Sequence, residues 1–445
     1  MSSSQRAAVD GFGSGLAAGR DHAASLGPFD KGVPQGISPV PLADVAAQGW
    51  NVLRGDLPLP AAVIREDALD INIQWMRAFV EDQGVALAPH GKTTMAPALF
   101  DRQLMDGAWG ITLSTPHQVA TAITLGYDRI FIANQVIGRS AIRYLFDAIE
   151  NNPKLELFCL IDSIALIEQI EAIAAQAGTT RRLQVLVEKG FVGGRTGCRT
   201  VAETVAVARR IARSPHLDLV GVEGFEGLIR GESLAATLDK IRQFLDEVVA
   251  VARCCDDEDL FGEGSVLLSA GGSAFFDLVA ERLKAADLSK PTTVLLRSGC
   301  YITHDAGMYA YAFKFLQERA PHLFDRGAPR PALEIWGYVQ SRPEPNLAIV
   351  AVGKRDISYD QPPVPRYWYR PAQGDSAPAS LGDGHRVDHL DDQHCYVIVP
   401  DGSPLAVGDM VGFGISHPCL TFDKWRVIHM VNEHYDVTGS LRTYF

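Results

Sequence analysis

A lysine, three glycine-rich turns and one His-x-Cys pair are the residues of this chain whose types and spacing could do chemistry. Pro89-His90-Gly91-Lys92-Thr93-Thr94 places an amine in a short turn directly after the apolar run 85–88. An amine walled in by apolar neighbours becomes nucleophilic toward carbonyl groups, forms a Schiff base and can later serve as a general base. In an open loop the same lysine would be solvated and inert, and position alone allows either. His417-Pro418-Cys419 sets an imidazole and a thiol two residues apart. In an extended segment such residues point the same way, so both can reach one divalent ion. The plainer alternative is a buried Cys beside a hydrogen-bonded core His. His394 could join them as a third member or act as an acid or base. Gly193-Gly194-Arg195-Thr196-Gly197, Ala270-Gly271-Gly272-Ser273 and Arg297-Ser298-Gly299-Cys300-Tyr301 each follow an apolar run. Turns of this kind expose backbone N–H groups, and the second opens into a helix, a common way to hold phosphate. One such turn is weak evidence because glycine is the ordinary residue of tight turns; two late turns on one rim are stronger. Gly11-Phe12-Gly13-Ser14-Gly15 imitates a nucleotide fingerprint but follows no strand and lacks its spacing. It reads as part of a flexible arm.

The elements that must position these groups show in the hydrophobic pattern. Short apolar runs at 61–64, 85–88, 130–133, 155–161, 183–188, 217–222, 266–269 and 293–297 read as strands. Helical periodicity at 66–81, 116–125, 140–150, 163–176, 200–213, 233–253 and 274–286 lies between them. This alternation predicts parallel strands with crossover helices, and the number of units suits a closed β/α (TIM) barrel. Active sites of such barrels gather at the C-terminal ends of the strands, where Lys92 and the glycine turns fall. Beyond about residue 330 the texture changes to strands at 333–341, 348–352, 395–399, 409–413 and 427–431 with no strong helix. The expected organisation is an α/β barrel over 60–325 and an all-β domain over 326–445 that carries the His417/Cys419 pair. Residues 1–59 form an arm that partly joins the β domain.

Composition narrows the functional class. With 445 residues, 47% hydrophobic and 21% charged, the chain can bury a large core. A formal charge of −12, from 41 basic and 53 acidic residues, argues against a nucleic-acid partner. Seven scattered cysteines, two of them the adjacent Cys254 and Cys255, make no disulfide framework and no CxxC motif, which points to a reducing cytoplasm. No signal-like segment and no apolar run of ~18 residues is present, so no membrane span is expected. The expected partner is a small molecule.

The quoted motifs occur in an order that is itself informative. Pro-His-Gly-Lys-Thr, Gly-Gly-Arg-Thr-Gly, Ser-Ala-Gly-Gly-Ser, Arg-Ser-Gly-Cys-Tyr and His-Pro-Cys follow one another as in fold-type III pyridoxal-phosphate enzymes. More narrowly, residues 55–430 resemble the D-serine dehydratase and D-threonine aldolase group, including bacterial amino-acid deaminases and D-serine deaminase-like proteins. The resemblance implies an alanine-racemase-like barrel followed by a β domain. It implies that Lys92 holds pyridoxal 5′-phosphate with His90 close by, and that Arg195 contacts the cofactor's phenolic oxygen. Gly271, Gly272 and Ser273, with Gly299 and Cys300, resemble the phosphate cup, and Tyr301 matches a cofactor-contacting tyrosine. His417 and Cys419 align with a pair that holds a divalent metal, here expected to be zinc, beside a substrate β-hydroxyl. A homodimer is expected by the same analogy. Two stretches depart from the group: its acidic-His-Gly reads Gln393-His394-Cys395, and its Tyr-x-Gly reads Phe225-Glu226-Gly227.

The chemistry so implied acts on a D-β-hydroxy amino acid such as D-serine or D-threonine. Lys92 removes the α-proton and the β-hydroxyl departs, giving a 2-oxo acid and ammonia. Hydroxide is a poor leaving group, since water is a very weak acid, so a Lewis acid is needed. The competing reaction is retro-aldol cleavage to glycine and an aldehyde. In resembling families the second metal ligand tends to be thiolate in dehydratases and carboxylate in aldolases, so Cys419 tips the reading toward elimination. A racemase would need a second base that no residue supplies, and a pyridoxal-phosphate carrier would have no use for residues 330–445.

Overall fold

The computed structural model describes residue 20 and residues 24–371 and 377–445, so the 11–15 segment lies outside the described residues. Two compact units are present. The first consists of Arg77–Lys92 and Gln103–Gly299; the second gathers the described parts of Met1–Met76 with Thr93–Arg102 and Cys300–Phe445.

The first unit is built on eight parallel strands. They run side by side in the order Ala86–Leu87, Thr292–Leu296, Val266–Ala270, Leu217–Gly224, Leu183–Lys189, Glu156–Ile161, Arg129–Ile132, Ile111–Leu113. A parallel bridge between His90 and Thr112 joins the two ends of this order and closes the barrel. The strands are near-continuous apolar runs because both faces are covered; every residue of Val266–Ala270 is buried. Phe131, Phe158, Leu186, Val220, Leu267 and Leu295 come from opposite sides of the sheet yet share one cluster, which is possible only in the interior of a closed sheet. Local chemistry sets where the crossover helices start. Thr115, Ser163, Thr200 and Ser233 each accept an N–H bond from the residue three positions on, at 3.3, 3.4, 3.1 and 3.1 Å. The helix Ile164–Ala177 ends where Gly178 turns left-handed at φ 66°.

The second unit carries an antiparallel sheet ordered Ala379–Ser380, Val364–Tyr369, Met410–Gly414, Leu333–Glu344, Leu347–Val350, Cys395–Ile398, Arg386–Leu390. Ala61–Arg65 belongs here, antiparallel to Leu333–Glu344 and parallel to Val427–Val431. The sequence pattern makes this run the first barrel strand. A wholly buried Ala-Ala-Val-Ile run satisfies any strand with partners on both sides, so periodicity does not say which sheet it enters. The barrel strand that replaces it, Ile111–Leu113, has three residues, too few to leave a pattern. The nine-residue helix Pro97–Met105 before it is likewise missed. Leu26, Val33, Val45 and Val52 pack with Trp336, Met410 and Tyr435, so the described part of the N-terminal arm shares this unit's core. Among the described residues no helix is long and apolar enough to cross a membrane.

The tightest packing test lies inside the barrel. A Cβ added at Gly221 would stand 2.0 Å from the Leu267 carbonyl oxygen on the neighbouring strand. Gly221→Ala is therefore expected to lower unfolding free energy by about 1–3 kcal/mol, seen as a lower urea midpoint at unchanged slope. An unaltered midpoint would show that the two strands have room to part.

Candidate functional site

In the barrel unit, Thr112 fixes the turn that carries Lys92. Its N–H donates to the Pro89 carbonyl at 2.9 Å and its hydroxyl to the Ala88 carbonyl at 2.6 Å. The chain then makes a single 3-10 turn, Gly91–Thr93. Gly299 lies against the same turn: a Cβ there would fall 2.5 Å from the His90 carbonyl oxygen, so only glycine permits the approach. The His90 Nε2 is 3.3 Å from the Ser114 hydroxyl, while its Nδ1 is buried with no partner. Burial, then the charges of Lys92 and Arg297, hold this imidazole well below its ordinary range, so it is uncharged at neutral pH.

Arg297 is the centre of the polar network at this end of the barrel. Its guanidinium is 3% exposed, pairs with Glu223, donates to the Ser269 hydroxyl at 2.7 Å and lies 5.0 Å from the Phe131 ring centroid. Burial raises the Glu223 carboxyl, and Arg297 opposes that rise. Glu226 is fully buried, and a Cβ on Gly272 would collide with its Oε1. Burial raises it too; the N–H groups of Gly272 and Gly271 pull the other way without closing hydrogen bonds to either oxygen. Glu188 accepts from the Thr196 hydroxyl at 2.8 Å and from the Gln135 amide. Burial, followed by repulsion from Glu223, pushes it up to about 7. Arg195 sets its guanidinium 4.6 Å from the Phe225 ring centroid, and Arg199 braces its turn through the Thr196 and Gly194 carbonyls.

Six buried polar atoms of this network have no hydrogen-bond partner: His90 Nδ1, Gln135 Oε1, Arg297 Nε, Glu223 Oε2 and both oxygens of Glu226. Buried polar atoms are nearly always paired, and so many unpaired ones at one barrel end suit a polar guest with both donors and acceptors. Together with the Lys92 amine and the N–H groups of Gly271-Gly272-Ser273, they fit a phosphorylated pyridine aldehyde. Sequence reasoning quotes Arg297 without a role and passes over Glu188 and Glu223. The detectable signal was a charged residue at the C-terminal end of an otherwise apolar strand.

The β unit holds a second cluster. Thr93 Oγ1 is 3.5 Å from Cys419 Sγ and 3.9 Å from Cys300 Sγ. Cys300 and the nearby His417 draw the Cys419 thiol down to about 4 despite burial. His417 rises to about 9 through Cys419 and Asp360, whose Oδ2 is 2.7 Å from its Nδ1. A thiolate beside an imidazole whose other nitrogen is held by a carboxylate is the donor set of a metal centre. Among the described residues no three His, Cys, Asp or Glu side chains are grouped so as to hold a metal ion.

Two expectations change here. The His417–Cys419 segment is not extended: Pro418 is helical at φ −57°, ψ −45° and opens the short helix Cys419–Phe422. The pair meets through a tight turn instead. His394 occupies an exposed hairpin turn, its carbonyl 2.9 Å from the Asp391 N–H, and is no third member. The Cys300 side chain faces Thr93, its Sγ 3.9 Å from the Thr93 Oγ1. Tyr301 follows it in the 3-10 turn Cys300–Ile302 and is buried. Asp360, 57 positions before His417, left no sequence signal. The chain crosses between the two units at Lys92–Thr93 and at Gly299–Cys300.

Comparison with known proteins matches residues 64–255 to the alanine racemase N-terminal domain and residues 332–431 to a putative serine dehydratase domain. D-threonine aldolase of Arthrobacter sp. is 23% identical over 410 residues, 91% of this chain and 92% of that one. D-threo-3-hydroxyaspartate dehydratase of Delftia sp. (strain HT23) is 31% identical over 161 residues, 36% of this chain and 40% of that one. A cysteine-to-alanine variant of that dehydratase, solved in a metal-free form, superposes with TM-score 0.66 at 21% identity, covering 89% of this chain and 99% of that one. The D-threonine aldolase of Filomicrobium marinum superposes with TM-score 0.70 at 21% identity, covering 89% and 97%. These likenesses agree with the alanine-racemase-like barrel and β domain described above.

Glu188 makes the barrel cluster pH-sensitive. An unfolded chain releases this proton near 4.5, whereas the folded protein keeps it to about 7. The folded state binds more protons in that window, so the group's stability contribution is full below the lower value and lost as pH rises to the upper one. Wild-type protein should lose about 2–3 kcal/mol from this source between pH 5 and 8, and Glu188→Gln should not. Urea denaturation at the two pH values checks it; equal losses in both proteins would mean Glu188 ionises as in water.

Proposed function

The chain belongs to the fold-type III pyridoxal-phosphate group that includes D-threonine aldolase and D-threo-3-hydroxyaspartate dehydratase, and on that premise we propose that it is a metal-assisted D-β-hydroxy amino acid dehydratase. Its products would be a 2-oxo acid and ammonia. The observation that supports this reading is the His417–Cys419 pair, in which the second donor is sulfur and the imidazole Nδ1 is held by Asp360 at 2.7 Å. Thiolate favours zinc over the harder magnesium or manganese.

Lys92 would hold the cofactor, with Arg195, Arg297 and the 271–273 turn around it. Once bound, pyridoxal phosphate supplies the electron sink that acidifies the substrate Cα–H, and a divalent ion on His417 and Cys419 supplies Lewis-acid help to the departing β-hydroxyl. The remaining work belongs to side chains. Lys92 Nζ takes the α-proton. His90, uncharged, adds no second cation beside that amine and so leaves its charge to be set by the reaction. Glu223 holds the Arg297 guanidinium in place. Seven free cysteines support the further reading of a cytoplasmic protein, which we take to be a homodimer.

Retro-aldol cleavage is the second reading, favoured by the near full-length similarity to a D-threonine aldolase. Incubation with D-threonine separates them: 2-oxobutanoate with ammonia supports the dehydratase, and glycine with acetaldehyde overturns it. Lys92→Ala should abolish visible absorption of the purified protein and reduce turnover by more than about 1000-fold. Borohydride reduction and peptide mapping should find the pyridoxyl group on Lys92; a label elsewhere removes the assignment. Cys419→Ala should stop turnover while leaving the absorption intact.

A further inference from the structure

We infer that Arg199 is a positioning residue, which sets Arg195 against the cofactor by clamping the turn that carries it. The inference rests on the cofactor reading above, in which Arg195 faces pyridoxal phosphate, and adds the residue that holds it there. Arg195 lies in the stretch 190–200, outside any strand or helix, and its side chain is exposed. A long exposed side chain has many rotamers open to it, so its placement depends on how firmly the backbone beneath it is held. Arg199 does the holding. Its Nη1 donates to the Thr196 and Gly197 carbonyls at 2.8 and 3.1 Å, and its Nη2 to the Gly194 and Arg195 carbonyls at 3.1 and 3.4 Å. The successive carbonyls of 194–197 therefore converge on one guanidinium.

Carbonyls aimed at one point need donors there, and a planar fork with fixed N–H directions serves several of them where a point charge cannot. The surroundings are shaped around that fork. A Cβ on Gly190 would stand 2.6 Å from Arg199 Nη1 and 2.1 Å from the Thr196 carbonyl oxygen, so a side chain at 190 would displace the clamp. The stem of the loop is closed by the Gly190 N–H, which donates to the Cys198 carbonyl at 2.8 Å, and Asp162 Oδ2 accepts the Gly197 N–H at 3.1 Å. Lys189 anchors the clamp in turn. Its buried Nζ donates to the Gly190 carbonyl at 2.6 Å and to the Arg199 carbonyl at 3.4 Å, and pairs with Glu247 at 2.8 Å. The two arginines thus divide one task. Arg199 turns inward and has its donors taken by backbone, whereas Arg195 keeps its guanidinium outside the turn, 4.6 Å from the Phe225 ring centroid, for a guest. Thr196, inside the same clamp, donates its hydroxyl to Glu188 at 2.8 Å and ties the turn to the buried carboxyl cluster.

A double-mutant cycle on cofactor binding decides. Full-length wild type, Arg195→Ala, Arg199→Ala and the double variant, each stripped of cofactor, are titrated with pyridoxal 5′-phosphate, and the absorption of the bound form is recorded. Arg199→Ala should weaken binding by about 10-fold and shift the absorption maximum as Arg195→Ala does, while in the Arg195→Ala background the same change should cost less than about 2-fold. An equal loss in both backgrounds overturns the inference and leaves the cofactor reading standing, because Arg199 would then act without Arg195. An Arg195→Ala protein with wild-type affinity and spectrum removes Arg195 from the cofactor site, and the inference falls with that part of the reading. Arg199→Lys keeps the stem and the charge and serves where the alanine variant folds poorly. It should resemble Arg199→Ala in affinity and spectrum, because an ammonium cannot reproduce the fork. Wild-type affinity in Arg199→Lys would show that charge alone suffices and would overturn the clamp.

Discussion

Two hydrogen bonds from Thr112, to the carbonyls of Pro89 and Ala88, close the barrel and aim the turn that carries Lys92. Every other feature of that site depends on this closure. The strand that supplies the turn has only two residues in regular pairing, Ala86–Leu87, and could not be held by its ladder to Thr292–Leu296 alone. Thr112 provides the second edge. With both edges satisfied, the backbone after Leu87 is free to leave the sheet at the rim, and Gly299 lets the neighbouring turn press onto it without a side chain between. A short, doubly anchored strand is a precise way to present one amine.

Such closure brings an electrostatic problem with it. Glu188, Glu223 and Glu226 are each at most 2% exposed at the same end of one unit, with Arg297 and Arg195 among them. Burying unpaired charge is expensive, and the protein answers in two ways. Glu223 pairs with Arg297, which Ser269 and the face of Phe131 also hold. Glu188 and Glu226 instead have raised affinities for protons, so their burial is tolerated in neutral form. The atoms left unpartnered are then the ones a polar guest can address. His90 follows the same logic with opposite sign: surrounded by Lys92, Arg297 and Arg195, it gives up its proton.

How much of this was legible in the sequence follows from range. Barrel strands such as Leu183–Lys189 and their capped helices declare themselves in windows of six to fourteen residues, and the reading recovers them within a few positions. Lys92 and the glycine turns are visible because a turn after a strand is a local event. What fails is whatever depends on a distant partner. Ala61–Arg65 has the composition of a barrel strand and pairs with residues near 333 and 429. Ile111–Leu113 is a strand only because His90 and Arg129–Ile132 flank it. Asp360 matters through a contact 57 positions away, and the Cys300 sulfur lies beside Thr93, 207 positions before it. The motif order supplied the fold and the chemistry of the group, but not which side chain faces which.

The His-x-Cys pair shows why residue types can point to a site whose geometry the pattern misstates. In a strand, alternation would have placed both donors on one face at a separation set by the pleat. Here Pro418 adopts the helical region and the chain folds over at once, so the thiol and imidazole are not laid out along a strand. Proline suits that position because its fixed φ is that of a helix start and its missing N–H is not needed there. The turn is then tied down from three sides, by Asp360 on the imidazole, Ser358 on the His417 backbone and Thr93 on the sulfur. The arrangement of the pair is therefore set by the backbone turn at Pro418 and its three tethers as much as by the residue types themselves.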